Sequence, residues 1–412
     1  MLRKTLHLAL ALGLLASLAP SAHAARMPEV TAKAAIVIDG VTGQVLYAKN
    51  PHARMPQAST TKMMSAIVAI EKGHLGDTVV VSKKSSDING SSIYLEAGEK
   101  LTFEQLLYGM MLNSGNDATN AVAEYIAGDA DKFVVLMNQK AQALGLKDTH
   151  YANPHGLPTS DHFSSVYDMA MIARYALQNP TFAEIAATKT KELPGNKRIQ
   201  HRLLVNHNKL LRYFPGAWGG KTGYTTVAGK CFVGSAKRDG RYVIEAILSD
   251  PDCWRDAENL LNYGLDSFTS EPIAAAGQRV ANVSVVGGSQ RQVPAVLKEA
   301  IALSVPQGGS KPSVQASFHV ADKVQAPVQA GQVLGSYELR DGDRVVAEAP
   351  VVAAAMVPAA GPLFGDLGAV FAWFLKGGAL SVALFSVFRW QGLRRRKRIR
   401  RRSWLSSNAL HR

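Results

Sequence analysis

The sequence predicts an α/β (α+β) chain: an antiparallel sheet flanked by helices, then a small all-β domain, then a C-terminal membrane anchor. Three observations carry this reading. Strand-like runs bracket a helical block within the first 267 residues, the composition shifts to Val, Ala, Gly and Gln beyond Phe268, and an apolar run occupies 367–388. Strands that return after a block of helices favour an antiparallel sheet with helices packed on it over repeated strand–helix–strand units.

Residues 1–24 read as a secretory signal peptide. Arg3 and Lys4 precede an apolar run over 6–18, and Ala22-His23-Ala24 fits a small-x-small cleavage site before Ala25. The body at 25–267 opens with a strand, turn and strand over 34–50, the turn being Gly40-Val41-Thr42-Gly43. A first helix is expected from Ser59, with Met63, Met64, Ile67, Val68 and Ile70 at helical spacing and Gly73 at its end. Helical patterns follow over 102–112, 118–127, 130–144 and 166–178. A hairpin is expected from 224–236 and 241–249 around Asp239-Gly240, then a closing helix over 256–265.

Short alternating runs and the turns Gly287-Gly288, Gly308-Gly309 and Asp341-Gly342 mark 271–356 as a small all-β domain, with 357–366 as a linker. The apolar run over 367–388 has 22 residues, which at helical rise covers roughly 33 Å, enough to span a bilayer. Lys376 near its middle costs about 3 kcal/mol, against about 5 kcal/mol returned by its Leu, Val and Phe residues. Lys376, Ser381 and Ser386 point to different sides of a helix, so they form no polar face for an interfacial helix. A transmembrane or membrane-anchor helix is therefore expected at 367–390, with 391–412 as a basic cytoplasmic tail under the positive-inside rule.

The net charge of +14 invites a nucleic-acid reading. Ten of the basic residues lie at 389–412 and two at 3–4, both stretches without acids, so the intervening body carries only +2. No nucleic-acid partner is expected. Cys231 and Cys253 are too few for a disulfide scaffold, and either a bridge or two free thiols remains open. No zinc-type Cys/His spacing appears, and no metal is expected.

Three short elements carry chemistry. Ser59-Thr60-Thr61-Lys62 places Lys62 one helical turn from the Ser59 hydroxyl, where an amine of lowered pKa could take its proton. Ser114-Gly115-Asn116 sits in a break between helical segments, offering a proton relay and an amide. Lys221-Thr222-Gly223 opens a strand after Gly219-Gly220, where a backbone can approach a ligand closely and Lys and Thr can hold a carboxylate. Each alone is weak, since Ser is a common N-cap and S-x-N is most often a turn. His150, His155, His162, His201 and His207 lie in polar stretches without ligand spacing and read as surface or loop-bracing residues.

In this order, on helix, loop and strand, the three elements resemble the signature of penicillin-recognising serine enzymes. The chain resembles the low-molecular-mass penicillin-binding proteins, the D-alanyl-D-alanine carboxypeptidases. The likeness extends to 36–49, Asn153-Pro154-His155-Gly156-Leu157, 164–170 and 206–211, and the 271–356 region resembles the β-rich C-terminal domain of these enzymes. The resemblance implies Ser59 as acylated nucleophile, Lys62 as general base, Ser114 as proton relay and Asn116 as ligand of the peptide amide. It implies Lys221, Thr222 and Gly223 around the terminal carboxylate, with the backbone N–H groups of Ser59 and Tyr224 as oxyanion hole. The implied substrate is the peptidoglycan stem pentapeptide, with β-lactams as inhibitors and no cofactor. The implied location is the outer face of the cytoplasmic membrane, on the periplasmic or cell-wall side. Two alternatives remain: a β-lactamase of the same fold, for which an E-x-x-L-N element is missing around 144–153, and an inactive wall-binding scaffold.

Overall fold

The computed structural model describes residues 27–309, 313–342, 344–360 and Trp390. The expected signal peptide at 1–24 and, Trp390 apart, the expected anchor and tail lie outside these residues. Among the described residues no helix is long and apolar enough to cross a membrane. The described chain divides into two compact units. One comprises 27–276, 299–318 and 337–349; the other comprises 277–298, 319–336 and 350–360.

The first unit opens with β1 (Ala34–Asp39) and β2 (Val45–Lys49) as an antiparallel pair. A 3-10 turn at Ala58–Thr61 leads into α1 (Lys62–Ile70), in which eight of nine residues are buried. A helix apolar nearly all round belongs at the centre of a core, and α1 occupies it. Strands β3 (Thr78–Val80) and β4 (Lys100–Thr102) pair around the short α2 (Lys83–Ser86). Helix α3 (Phe103–Leu112) starts from a capping box, in which Gln105 N donates to Thr102 Oγ1 and Thr102 N to Gln105 Oε1. It breaks at 113–115 before α4 (Asn116–Ala127), which ends on left-handed Gly128. Helices α5 (Ala130–Ala143), α6 (Val166–Ala176) and α7 (Pro180–Ala187) follow, then the ribbon β5 (Thr190–Leu193) with β6 (Arg202–Val205) and the short α8 (Leu210–Tyr213).

Three strands complete the main sheet: β7 (Ala217–Thr225), β8 (Gly229–Arg238) and β9 (Arg241–Leu248), closed by α9 (Cys253–Asp266). The sheet order is β2-β1-β9-β8-β7, antiparallel throughout, as the sequence led us to expect. Its interior strands read as unbroken apolar runs because both faces are covered. Along β1, Ala34, Ile36 and Ile38 join the helical core while Ala35 and Val37 join a second core under α9. The expected strand over 224–236 is corrected: residues 224–225 end β7, and a turn separates them from β8.

Beyond α9, strands β10 (Phe268–Ala274), β11 (Arg279–Val286), β12 (Gln292–Leu297), β13 (Ile301–Pro306), β14 (Gln315–Val320), β15 (Lys323–Gln325), β16 (Val333–Asp341) and β17 (Arg344–Ala353) follow in turn. Within the first unit β10 pairs antiparallel with β13. Within the second, β11 pairs antiparallel with β12 and parallel with β15. The all-β content expected for 271–356 is what the described residues show.

Candidate active site

Ser59 lies on the 3-10 turn, so the expectation that it opens α1 is corrected: the helix proper begins at Lys62. The turn is held from below. His162 Nδ1 accepts from Ala152 N (3.1 Å), which leaves the proton on Nε2 to donate to Thr61 Oγ1 (2.8 Å). Burial pushes the His162 imidazole down to about 4, so it stays neutral at ordinary pH. Ala58, immediately before the nucleophile, has φ 48, a left-handed conformation costly for a residue with a Cβ. Gly156 presses against this point. A Cβ on it would stand 1.9 Å from Ala58 O and 3.0 Å from Ser59 N.

Lys62 is fully buried, and its Nζ lies 3.0 Å from Ser59 Oγ, 2.8 Å from Asn116 Oδ1 and 2.8 Å from His155 O. Asn116 Oδ1 and His155 O are acceptors only. A neutral amine has two N–H groups and one lone pair, so donating to both aims the lone pair at Ser59 Oγ–H. Desolvation, aided by the positive charge of Lys221, holds Lys62 well below an ordinary lysine. The geometry and the electrostatics both favour a base beside a hydroxyl nucleophile.

Ser114 sits in the break between α3 and α4 with φ 60, and its buried Oγ has no partner among the described residues. Backbone strain and an unsatisfied buried hydroxyl together are features of a working site rather than of folding. Asn116 opens α4 and donates through Nδ2 to Asn89 O (2.7 Å), keeping one further N–H. The neighbouring Asp117 is buried and accepts from Ser92 Oγ and from the amides of Ile93 and Leu95, which fastens the 89–96 loop beside the site.

Lys221, Thr222 and Gly223 lie well inside β7 rather than opening it, and β7 is an edge of the sheet. Gly223 has a steric reason to be glycine: an added Cβ would come within 2.9 Å of both Gln57 O and Ser59 N. Lys221 is 2% exposed, its Nζ donates to Thr222 O (3.0 Å), and burial brings it down to about 7. A cleft enclosing about 250 Å³ joins Ser59 and Ser114 to Thr222, Gly223 and Tyr224, with Ser91 and His207 also on its wall. The structure therefore brings all three motifs to one place.

Ser91 and His207 were not anticipated. His207, read as a surface or loop-bracing residue, is at the surface, and that surface is the cleft wall. It is exposed on the cleft wall, where desolvation and the charges of Lys221 and Arg212 lower its pKa. The flanking Asn206 and Asn208, which spend their side-chain oxygens on the amides of Asn208 and Leu210, were the one local hint of a fixed loop. Cys231 and Cys253 are both free and buried. Among the described residues no group of three or more His, Cys, Asp or Glu could hold a metal ion.

Residues 21–252 match the D-alanyl-D-alanine carboxypeptidase family of S11 peptidases. The chain belongs to this family. Residues 268–359 match the C-terminal domain of penicillin-binding protein 5. The chain is 36% identical to the D-alanyl-D-alanine carboxypeptidase DacF of Bacillus subtilis (strain 168), over 82% of this chain and 91% of that one. It is 30% identical to DacA of Escherichia coli (strain K12), over 83% and 87% of the two chains. Among solved structures, penicillin-binding protein 5 from Haemophilus influenzae matches with a TM-score of 0.64 at 28% identity, covering 81% of this chain and 99% of that one. This member of the family is accordingly a serine-type D-Ala-D-Ala carboxypeptidase of the penicillin-binding class.

Proposed function

We propose that the enzyme removes the terminal D-alanine of peptidoglycan stem pentapeptides through an acyl-enzyme on Ser59, with the motif residues dividing the work as follows. Neutral Lys62 takes the Ser59 Oγ proton as the oxygen attacks the carbonyl carbon between the two D-alanines. The negative charge that develops on the carbonyl oxygen is met by the backbone N–H groups of Ser59 and Tyr224. Ser114 carries a proton to the departing D-alanine amine. The free N–H of Asn116 donates to the substrate amide, and Thr222, with Lys221 behind it, takes the terminal carboxylate. Water then releases the shortened peptide, with Lys62 again as base. A β-lactam enters the same first step and leaves an acyl group on Ser59.

One observation supports this division most: the Lys62 amine set among Ser59 Oγ, Asn116 Oδ1 and His155 O. The test is mass spectrometry of a stem pentapeptide incubated with the exported part of the chain. A loss of one alanine with wild type, and none with Ser59→Ala, is the expected result. Covalent labelling of Ser59→Ala by fluorescent penicillin at the wild-type rate would overturn it.

The proposal includes export through 1–24, a catalytic domain at 25–267, a β-rich domain at 271–356 and an anchor at 367–390 that leaves the basic tail inside. The sequence pattern supports this topology, and a protease applied to intact cells tests it. Digestion of the tail from outside would reject it.

A further inference from the structure

The 89–96 loop forms part of the cleft wall through Ser91, and its shape is dictated by Asp117. The amides of Ile93 and Leu95 both reach the Asp117 carboxylate, each at 3.1 Å, and Ser92 Oγ binds it as well. For two amides separated by one residue to converge on one carboxylate, the residue between them turns left-handed. That residue is Tyr94, with φ 60. Its own backbone is fixed on both sides, its N–H donating to Ser92 Oγ (2.8 Å) and its C=O accepting from Asn196 Nδ2 (2.7 Å).

The loop thus needs a left-handed residue, but it does not need a tyrosine. Glycine takes this conformation freely and asparagine at small penalty, whereas a bulky side chain is strained there. The Tyr94 side chain is 56% exposed, and neither a ring contact nor a hydroxyl hydrogen bond joins it to any described residue. A rigid frame presents an aromatic ring to solvent three residues along the loop from Ser91 on the cleft wall. The cleft wall itself carries an exposed aromatic, Tyr224, at 65% exposure.

We propose that Tyr94 is a specificity-determining residue that contacts the substrate's stem peptide upstream of its D-Ala-D-Ala end. The reach fits. Three residues of chain separate Tyr94 from Ser91, at most about 10 Å, and the three stem residues before the D-alanine pair span about 10 Å when extended. An aromatic face is suited to the amide planes and aliphatic parts of such a peptide. The proposal rests on the carboxypeptidase reading.

The test compares two substrates, the full stem pentapeptide and N-acetyl-D-Ala-D-Ala, which lacks the upstream residues. Tyr94→Asn removes the ring while tolerating the backbone, and Tyr94→Phe keeps the ring. For Tyr94→Asn we expect kcat/KM on the pentapeptide to fall about tenfold, mostly through KM, because the contact is made equally in ground and transition states. Its kcat/KM on N-acetyl-D-Ala-D-Ala and its acylation by penicillin should stay within twofold of wild type, as should Tyr94→Phe on both substrates. An equal loss on both substrates would make the ring a support of the loop and overturn the proposal; no loss on either would do the same. Failure of the wild type itself to release D-alanine from either substrate would remove the carboxypeptidase reading, and the proposal with it.

Discussion

Gly156→Ala should disable the nucleophile from a position outside all three motifs. Gly156 has φ +92, and an alanine Cβ there would lie 1.9 Å from Ala58 O and 2.4 Å from Ala58 C. The left-handed backbone alone costs about 1–2 kcal/mol for a residue with a Cβ. The contact must also open by about 1 Å to become tolerable, and what moves is the peptide group joining Ala58 to Ser59. A misplacement of about 1 Å at a reacting group lowers rate by roughly 100-fold. The second-order rate of acylation by a fluorescent penicillin should therefore fall about 100-fold. A destabilisation of about 2 kcal/mol should lower Tm by about 4–8 °C in a unit of this size. Both are measured on one preparation, by gel fluorescence and by thermal melting. Acylation within threefold of wild type would refute the reasoning, even if Tm falls, because it would show that the Ala58–Ser59 peptide absorbs the clash without moving Ser59.

Other expectations follow from the buried ionisable groups. Lys221→Met removes the cation that helps keep Lys62 neutral, so the acid limb of the acylation pH profile should move to higher pH; an unmoved limb would exclude that coupling. Because burial lowers Lys221 from 10.5 to about 7, its stability contribution is present above 10.5 and lost as pH falls to about 7. Lys221→Met should thus gain on wild type in Tm across that window and hold the gain below it. His162 is lowered from 6.5 to about 4, so it withdraws stability as pH falls through that range. His162→Gln, which cannot ionise, should flatten the wild-type slope of Tm against pH between 6.5 and 4; an unchanged slope would assign that loss to other groups. Burial pushes the Cys231 thiol up to about 12, and Cys253 is likewise raised. Neither should react with a thiol-disulfide reagent in the native protein within an hour, and both should react in guanidinium; rapid native reaction would contradict their burial.

The catalytic elements were legible because each is a short string whose residue types state their chemistry. Ser59 and Lys62 are neighbours on any helical turn, and the antiparallel sheet was legible from strands that return after a block of helices. What sequence could not supply was set by distant contacts. The left-handed Ala58, Tyr94 and Ser114 are imposed by what packs around them, not by their own preferences. Ser59 sits on a 3-10 turn because the segment is tied to His162 and pressed by Gly156, about 100 positions away in the chain. His207 reaches the cleft through a distant tie, its N–H donating to Leu112 O at the end of α3. The ribbon of β5 and β6 was missed because its strands have four residues each, too few to show a period, and pairing gives them an order that periodicity alone does not.

The proposed role of Lys221 at the terminal carboxylate has a thermodynamic consequence. A buried lysine lowered to about 7 is only partly protonated in the empty enzyme at neutral pH. An incoming carboxylate favours the charged form, so binding an anionic chain end draws a proton from solution. Substrate affinity and solution acidity are then linked at this one side chain. The heat of binding should change with the ionisation enthalpy of the buffer, and a ligand with its carboxylate amidated should show no such dependence. On the proposed assignment of Lys221, a free chain end would differ from a capped one by the proton that accompanies it, as well as by shape.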